Sequence, residues 1–350
     1  MKIVITGICG FVGSTLARGL VKEGNDVCGL DNFMRAGSRK NLEPLEKLGV
    51  QVIEGDIRNE VDLAKMPKAD WVLDCAAEPS VLAGVSAGMG SFELMDHNLI
   101  GSIRLLEFCK KHGAGFILMS TSRVYSVSAL SRLNVKVEKG AYALARGERL
   151  KVKGVTEKGI SEEFSTEPPL SLYGASKRCA ELLALEYAEA FKFPLWINRC
   201  GVLAGMGQFG KADQGIFSFW IRSWKEKRPL KYIGFDGRGW QVRDCLHPKD
   251  LLSVLKKQMV AKSGGGKLEL EGGVDPRICN FGGGMENNCS LTQLSEMCEK
   301  KFGARKVEAV SEPRPYDLPW VVMDSSRAKK IWGFKVRTSL EEIFEEIAEA

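Results

Sequence analysis

The sequence is poor in histidine, and its cysteines are scattered. His97, His112 and His247 are the only histidines in 350 residues. That argues against a histidine-rich metal centre or a Ser-His-Asp arrangement. The ten cysteines form no C-x-x-C pair, and no secretory apolar segment accompanies them. Neither a zinc site nor a disulfide frame is expected; reduced thiols in a cytoplasm are. No apolar run approaches the roughly 18 residues of a membrane span. The net charge of +6 is mild and the basic residues are not clustered, so no nucleic-acid footprint is read. An anionic small-molecule substrate suits that charge.

What is present begins at the first residues. Lys2 to Ile5 is a short apolar run, followed at once by Thr6-Gly7-Ile8-Cys9-Gly10-Phe11-Val12-Gly13. Val12, Leu16 and Leu20 then recur four apart. The pattern predicts a buried strand, a glycine-rich turn and an amphipathic helix. Gly7, Gly10 and Gly13 allow close approach to a pyrophosphate, and the helix N-terminus offers N–H groups and a positive dipole end. The spacing G-x-x-G-x-x-G differs from G-x-G-x-x-G. A second strand, Val27 to Leu30, ends in Asp31, positioned to accept from adenosine ribose hydroxyls. Its charge would repel a 2′-phosphate and favours NAD over NADP, although Arg35 and Arg39 lie nearby.

Further strands are expected at Val50 to Glu54, closing on Gly55-Asp56-Ile57, and at Trp71 to Leu73, closing on Cys75-Ala76-Ala77. Two more are expected at Phe116 to Met119 and Leu195 to Arg199. Helices are expected from Asp96 to Lys111 and from Tyr173 through Phe191. This alternation specifies an α/β, Rossmann-like doubly wound parallel sheet, with ligands beyond the carboxyl ends of its strands. Residues 126–169 read as an excursion over the active-site rim or as surface decoration. Past residue 199 the texture changes. A polar glycine-rich loop runs from Gly205 to Gly215, and Ile216 to Trp224 forms an aromatic helix or turn. A turn precedes Arg243, and a surface loop covers Ser263 to Gly273. Helices are expected at Leu291 to Phe302 and Leu340 to Ala348. The chain divides into an NAD-binding Rossmann domain, 1–198 plus about 245–262. A smaller, interleaved C-terminal substrate domain takes mainly 199–244 and 275–350.

Tyr173 and Lys177 are four apart and share a helix face. A tyrosine hydroxyl, with a reference pKa of about 10, is a poor base at neutral pH. A neighbouring ammonium and an oxidised nicotinamide would lower that value.

With these motifs the chain resembles the extended short-chain dehydrogenase/reductase family, whose members bind NAD(P) and act mostly on nucleotide sugars. The resemblance runs over essentially the whole chain. It rests on Thr6 to Gly13, Asp31, Gly55-Asp56, Ala76-Ala77, Asn98 with Gly101, Ser120 to Tyr125, Tyr173 to Lys177, Arg243-Asp244 with His247, and Arg314 with Asp317. It implies Thr121, Tyr173 and Lys177 as the catalytic set. For NAD it implies contacts from Gly7, Gly10, Phe11, Val12, Gly13, Asp31, Asn32, Arg35, Asp56, Ile57, Ala76, Ala77, Asn98, Tyr173, Lys177 and Arg199. For a nucleotide-diphosphate sugar it implies Thr121, Gln208, Phe209, Gln214, Arg243 and Arg314, the two arginines on the diphosphate. It also implies a homodimer or homotetramer through the helices from Asp96 and Tyr173, with Leu182, Leu183 and Tyr187 as an apolar face.

A narrower likeness is to the CDP-paratose 2-epimerase (CDP-tyvelose epimerase) subfamily. It lies in Arg199 to Gly205, Gln208-Phe209, Asp213-Gln214-Gly215 and Gln241 to Asp244. The chain departs from the wider pattern at Val202-Leu203-Ala204-Gly205-Met206, at Ser126, and at Asp74. A carbinol C–H without an adjacent carbonyl is too weakly acidic for tyrosine to remove. Inversion of such a carbon therefore requires transient oxidation, turning of the ketosugar, and hydride return to its other face. The alternatives within enzymes are an NDP-sugar 4-epimerase or a 4,6-dehydratase. Ser122-Arg123 stands where a dehydratase usually carries Asp-Glu. Outside enzymes the alternative is a non-catalytic NAD-binding regulator.

Overall fold

A computed structural model describes every residue except 86–87, 146, 148–150, 211–213 and 262–271. Seven strands form the central sheet: β1 (Lys2–Thr6), β2 (Asp26–Asp31), β3 (Gln51–Glu54), β4 (Trp71–Asp74), β5 (Gly115–Thr121), β6 (Leu195–Cys200) and β7 (Ile278–Phe281). Their order is β7-β6-β5-β4-β1-β2-β3, and every pairing is parallel. After β3 the chain crosses back to place β4 beside β1. The crevice at that reversal, beyond the carboxyl ends, is where such sheets bind ligands.

Both faces of the sheet are covered, which is why its strands read as continuous apolar runs. Alternate side chains enter opposite cores. Ile3 and Ile5 join Leu16, Leu20 and Trp71 on one face. Val4 joins Leu105, Leu106 and Leu118 on the other. Helix α1 (Phe11–Lys22) buries Leu16 and Leu20, as its spacing predicts. The helix expected from Asp96 to Lys111 is interrupted. Ser91–Met95 is α-helical, Asp96–Ile100 is a π turn, and α2 (Gly101–His112) follows. Such turns gather at functional sites. Helix α3 (Leu172–Phe191) begins at Ser171, whose hydroxyl accepts from the Gly174 N–H at 3.0 Å.

The seventh strand comes from outside the Rossmann segments that the sequence marks. Ile278–Phe281, which the sequence groups with the smaller domain, pairs with β6. Trp332 and Phe334 also return to the Rossmann core. The smaller domain carries a sheet of Val202–Leu203, Val242–Leu246, Asn288–Ser290 and Trp320–Val321. Its helices Ile216–Lys225, Leu291–Phe302 and Leu340–Glu349 enclose Phe217, Trp220, Leu294, Ile343 and Phe344. Capping boxes at Ser290/Gln293 and Ser339/Glu342 start two of them.

The segment 126–169 is a buttress rather than a rim. Its described part contains the helix Val127–Ser131 and the hairpins Val135–Glu138/Ala141–Leu144 and Val155–Thr156/Gly159–Ile160. Leu130, Val155 and Phe164 pack with Trp320 and Val322. Tyr142 N–H donates to the Trp240 carbonyl at 2.9 Å. Its apolar residues are spent on another element's sheet, which is why they show no period of their own. Most of the Ser263 to Gly273 loop lies outside the described residues. Among those described, no helix is long and apolar enough to cross a membrane.

Candidate active site

The glycine turn is built as its sequence requires. Gly7 sits at φ 60°, which favours glycine. Gly10 caps α1 without any side-chain bond, and no acidic residue lies in the first turn. The helix N-terminus is thereby left with N–H groups to offer an anion. A β-carbon on Gly13 would stand 2.3 Å from the Gly7 carbonyl oxygen. Asp31 closes the turn from β2. It accepts from the Cys9 N–H at 2.9 Å and the Phe33 N–H at 2.8 Å. Burial raises its pKa, against those backbone donors. Asp31 is thus a staple of the turn as well as part of the wall.

Beyond the strand ends lies one cavity of about 760 Å³ spanning both domains. It brings together Gly7, Gly10, Phe11, Val12, Gly13, Asp31, Asn32, Arg35, Ile57, Ala76 and Ala77 at one end. Thr121, Tyr173, Gln208, Phe209, Gln214, Arg243 and Arg314 complete the wall. Asp213, between Phe209 and Gln214, is outside the described residues.

Thr121 ends β5 and Tyr173 opens α3. Thr121 Oγ1 accepts from the Arg123 N–H at 3.2 Å, so its own proton is available to a partner. Tyr173 is 7% exposed. Burial pushes its phenol up to about 12, opposed by the hydrogen bond with Thr121 and the charge of Arg123. The sequence-based expectation was a lowered value. In the protein alone, without the oxidised nicotinamide that expectation invokes, burial wins.

Four expected contacts do not line the cavity: Asp56, Asn98, Lys177 and Arg199. Lys177 is 1% exposed, one turn behind Tyr173, and its charge reaches the wall thiols Cys75 and Cys200. Arg199 is sealed beneath the floor in an ion pair with Glu181, at 2.8 Å. Asn98 binds both the N–H and the carbonyl of Glu78, each at 2.9 Å, shaping the wall from behind. Asp56 pairs with Arg58 at 2.8 Å and accepts from Asn32 at 2.8 Å. Burial raises its pKa, but those bonds depress it further than burial lifts it.

The loop after β6 reaches across to the glycine-turn side. Gln208 Nε2 donates to the Leu203 carbonyl at 2.8 Å, and its Oε1 accepts from Ser218 at 2.7 Å. Phe209 packs on Gly37, and Arg35 donates to the Phe209 carbonyl. Arg243 pairs with Asp317 at 3.0 Å, and burial lowers its pKa.

Arg123 and His97 are among the wall residues that the sequence leaves without a role. Arg123, which in the sequence stands only where a dehydratase would carry an acid, lines the cavity and donates to the Tyr316 carbonyl at 3.1 Å. In the sequence His97 is one of three isolated histidines. It lines the cavity from the π turn, and its Nε2 is buried without a hydrogen-bond partner. Burial lowers its pKa. Nothing in a helical period marks where a π turn will rotate one side chain inward.

Comparison with known proteins places the whole chain in a family. The family model of the NAD dependent epimerase/dehydratase family matches residues 3–269. The chain belongs to that family. It is 30% identical over 309 residues to CDP-paratose 2-epimerase of Salmonella typhi, covering 85% of this chain and 84% of that one. It is 27% identical to UDP-glucuronate 4-epimerase 2 of Arabidopsis thaliana, covering 97% and 73% respectively. A crystal structure of UDP-glucuronic acid 4-epimerase from Bacillus cereus, in complex with UDP-glucuronic acid and NAD, superposes with a TM-score of 0.77. It is 25% identical, with 100% of this chain and 98% of that one covered. This epimerase-family enzyme uses NAD. The residues present fit that cofactor: three glycines surround a helix N-terminus left open to an anion, and the buried His97 Nε2 makes no hydrogen bond, lying 3.9 Å from Glu93 Oε1.

Proposed function

We propose that this enzyme inverts one carbon of a nucleotide-diphosphate sugar by transient oxidation, in a reaction of the CDP-paratose 2-epimerase type. The observation that carries the reading is the single cavity holding Thr121 and Tyr173 together with Arg243 and Arg314. Thr121, its oxygen already occupied by the Arg123 N–H, donates to the sugar hydroxyl. Tyr173 takes that hydroxyl's proton and later gives one back. Bound NAD supplies a hydride acceptor that returns the hydride. Arg243, oriented by Asp317, and Arg314 hold the diphosphate, so the sugar turns while its nucleotide stays anchored. Lys177 acts from behind Tyr173 as a fixed buried charge. Ser122 and Arg123 offer no carboxylate for elimination at a neighbouring carbon, which favours epimerisation over 4,6-dehydration. A 4-epimerase is the second reading, supported by the UDP-glucuronate 4-epimerase relatives.

The test is a set of CDP-, UDP-, GDP- and dTDP-sugars deuterated at the carbon to be inverted, followed by NMR and mass spectrometry in ordinary water. Internal return yields an epimer that keeps its label. Loss of label to solvent, or a product lighter by water, refutes the reading. Tyr173→Phe should abolish turnover and leave nucleotide-sugar affinity nearly intact. We place the enzyme in the cytoplasm, in keeping with its ten free cysteines. We also infer a homodimer or homotetramer through α2 and α3. Leu182 is 47% exposed there, whereas Leu183 and Tyr187 pack partly against the core. A monomer by light scattering at working concentration would refute it.

A further inference from the structure

Arg123 joins the end of the site where Thr121 and Tyr173 stand to the end where Arg243 stands. Its main chain belongs to the first. The Arg123 N–H donates to Thr121 Oγ1 at 3.2 Å, and its carbonyl oxygen lies 2.2 Å from where a β-carbon on Gly174, the residue after Tyr173, would be placed. Its guanidinium belongs to the second. Nη1 donates to the Tyr316 carbonyl at 3.1 Å, next to Asp317, which Arg243 engages at 3.0 Å. Among the described residues this is the one hydrogen bond of the Arg123 side chain, and none of its nitrogens is buried without a partner, so its remaining donors face open space. Arg123 and Arg243 also line one small recess beside the main cavity, with a volume of about 20 Å³. Asp244, the carboxyl in that recess, is taken up by the Gly284 and Met323 N–H groups. Arg123, Arg243 and Arg314 thus line this part of the wall with a single carboxylate, Asp317, already held by Arg243 and by the Leu318 N–H.

We propose that Arg123 is a third diphosphate ligand, and that it takes the phosphate next to the sugar. The proposal deepens the reading above, in which Arg243 and Arg314 hold the diphosphate, and it rests on that reading. The phosphate closest to the reacting carbon must lie closest to Thr121 and Tyr173. Of the three arginines, Arg123 is the one whose main chain bonds Thr121. Its planar fork suits phosphate oxygens. It stays charged at neutral pH: burial and the nearby Arg243 bring its pKa down only to about 10. An anion held between the two guanidinium groups offsets their repulsion. A carboxylate on the sugar would bring one negative charge to this wall. A diphosphate brings two, which matches three guanidinium groups set against one carboxylate. A grip on the sugar-proximal phosphate also leaves the bonds between that phosphate and the sugar as the pivot about which the ketosugar turns.

The test is equilibrium binding to the NAD-loaded protein by calorimetry. The probes are the mono- and diphosphates of cytidine, uridine, guanosine and thymidine, with UDP-glucose and UDP-glucuronic acid as a further pair. Wild type is compared with Arg123→Gln and Arg123→Lys, with melting curves and NAD content to confirm folding. Arg123→Met replaces Arg123→Gln if the latter does not fold. For whichever nucleoside diphosphate wild type binds, Arg123→Gln should lose about tenfold in affinity while its affinity for the matching monophosphate stays within about twofold. Arg123→Lys should recover part of the loss, since it keeps the charge and lacks the fork. Equal diphosphate affinity in wild type and Arg123→Gln overturns the proposal. An equal loss for monophosphate and diphosphate also overturns it, because the second phosphate is then not what Arg123 holds. A loss confined to UDP-glucuronic acid would assign Arg123 to a sugar carboxylate and overturn it as well. If wild type binds none of the four diphosphates, the functional reading fails and this proposal fails with it; in the other adverse outcomes the proposal fails alone.

Discussion

Arg243 Nη2 and Asp317 Oδ1 meet at 3.0 Å in the cavity wall, with side chains 13% and 19% exposed. Asp317 Oδ1 also accepts the Leu318 N–H at 2.8 Å, so the acid is fixed before it orients the arginine. If Arg243 holds the diphosphate as proposed, Arg243→Ala should raise KM for a nucleotide sugar by about tenfold to a hundredfold, with little change in kcat, because such a contact would be made equally in ground and transition states. Asp317→Asn should give a smaller rise. Steady-state kinetics on both variants checks this, and a fall confined to kcat would contradict it.

Asp31 lines the cavity and also braces the glycine turn, a second role that its sequence position does not mark. Its carboxylate holds the backbone of Cys9 and Phe33. Asp31→Ala should therefore weaken NAD retention and also lower stability by about 1–3 kcal/mol, since two backbone donors lose their acceptor. Denaturant melts of the cofactor-stripped protein isolate the second effect. An unchanged midpoint would leave Asp31 as a cofactor contact alone.

Gly13 tolerates no β-carbon, which would lie 2.3 Å from the Gly7 carbonyl oxygen and 2.8 Å from Ile8 Cα. Both obstacles are backbone and cannot rotate away. Gly13→Ala should destabilise the protein by about 1–3 kcal/mol and strip it of copurifying NAD. Gly24→Ala is the control, because open space surrounds Gly24 although its φ of 79° disfavours alanine. It should lose some stability and keep its NAD.

Asp244 lies under the cavity floor, where its Oδ2 accepts from the Gly284 and Met323 N–H groups. Burial raises its pKa to about 7, against those donors. In the unfolded chain the same carboxyl ionises near 4. Between these values the folded state holds a proton that the unfolded state has released, so this group makes stability fall as pH rises toward 7. Above pH 7 its contribution is constant. The Tm of Asp244→Asn should gain on wild type from about pH 4 to pH 7 and then run parallel. A difference that is flat across that range would place the Asp244 pKa at its ordinary value.

Local chemistry made much of this protein legible from its sequence. Buried parallel strands must be apolar throughout, a tight phosphate turn must be glycine, and a tyrosine and lysine four apart must share a helix face. Those constraints act within a few residues, so β1, the Gly7 to Gly13 turn, α1 and α3 were readable, and with them the side of the sheet on which ligands bind. Tertiary structure decided what depends on long-range contacts. It added Ile278–Phe281 to the sheet and sealed Arg199 against Glu181 beneath the floor. It turned His97 into the wall through a π turn. It also set burial above charge at Tyr173. A residue's partners and its dielectric surroundings come from chain segments far away in sequence, and no local pattern records them.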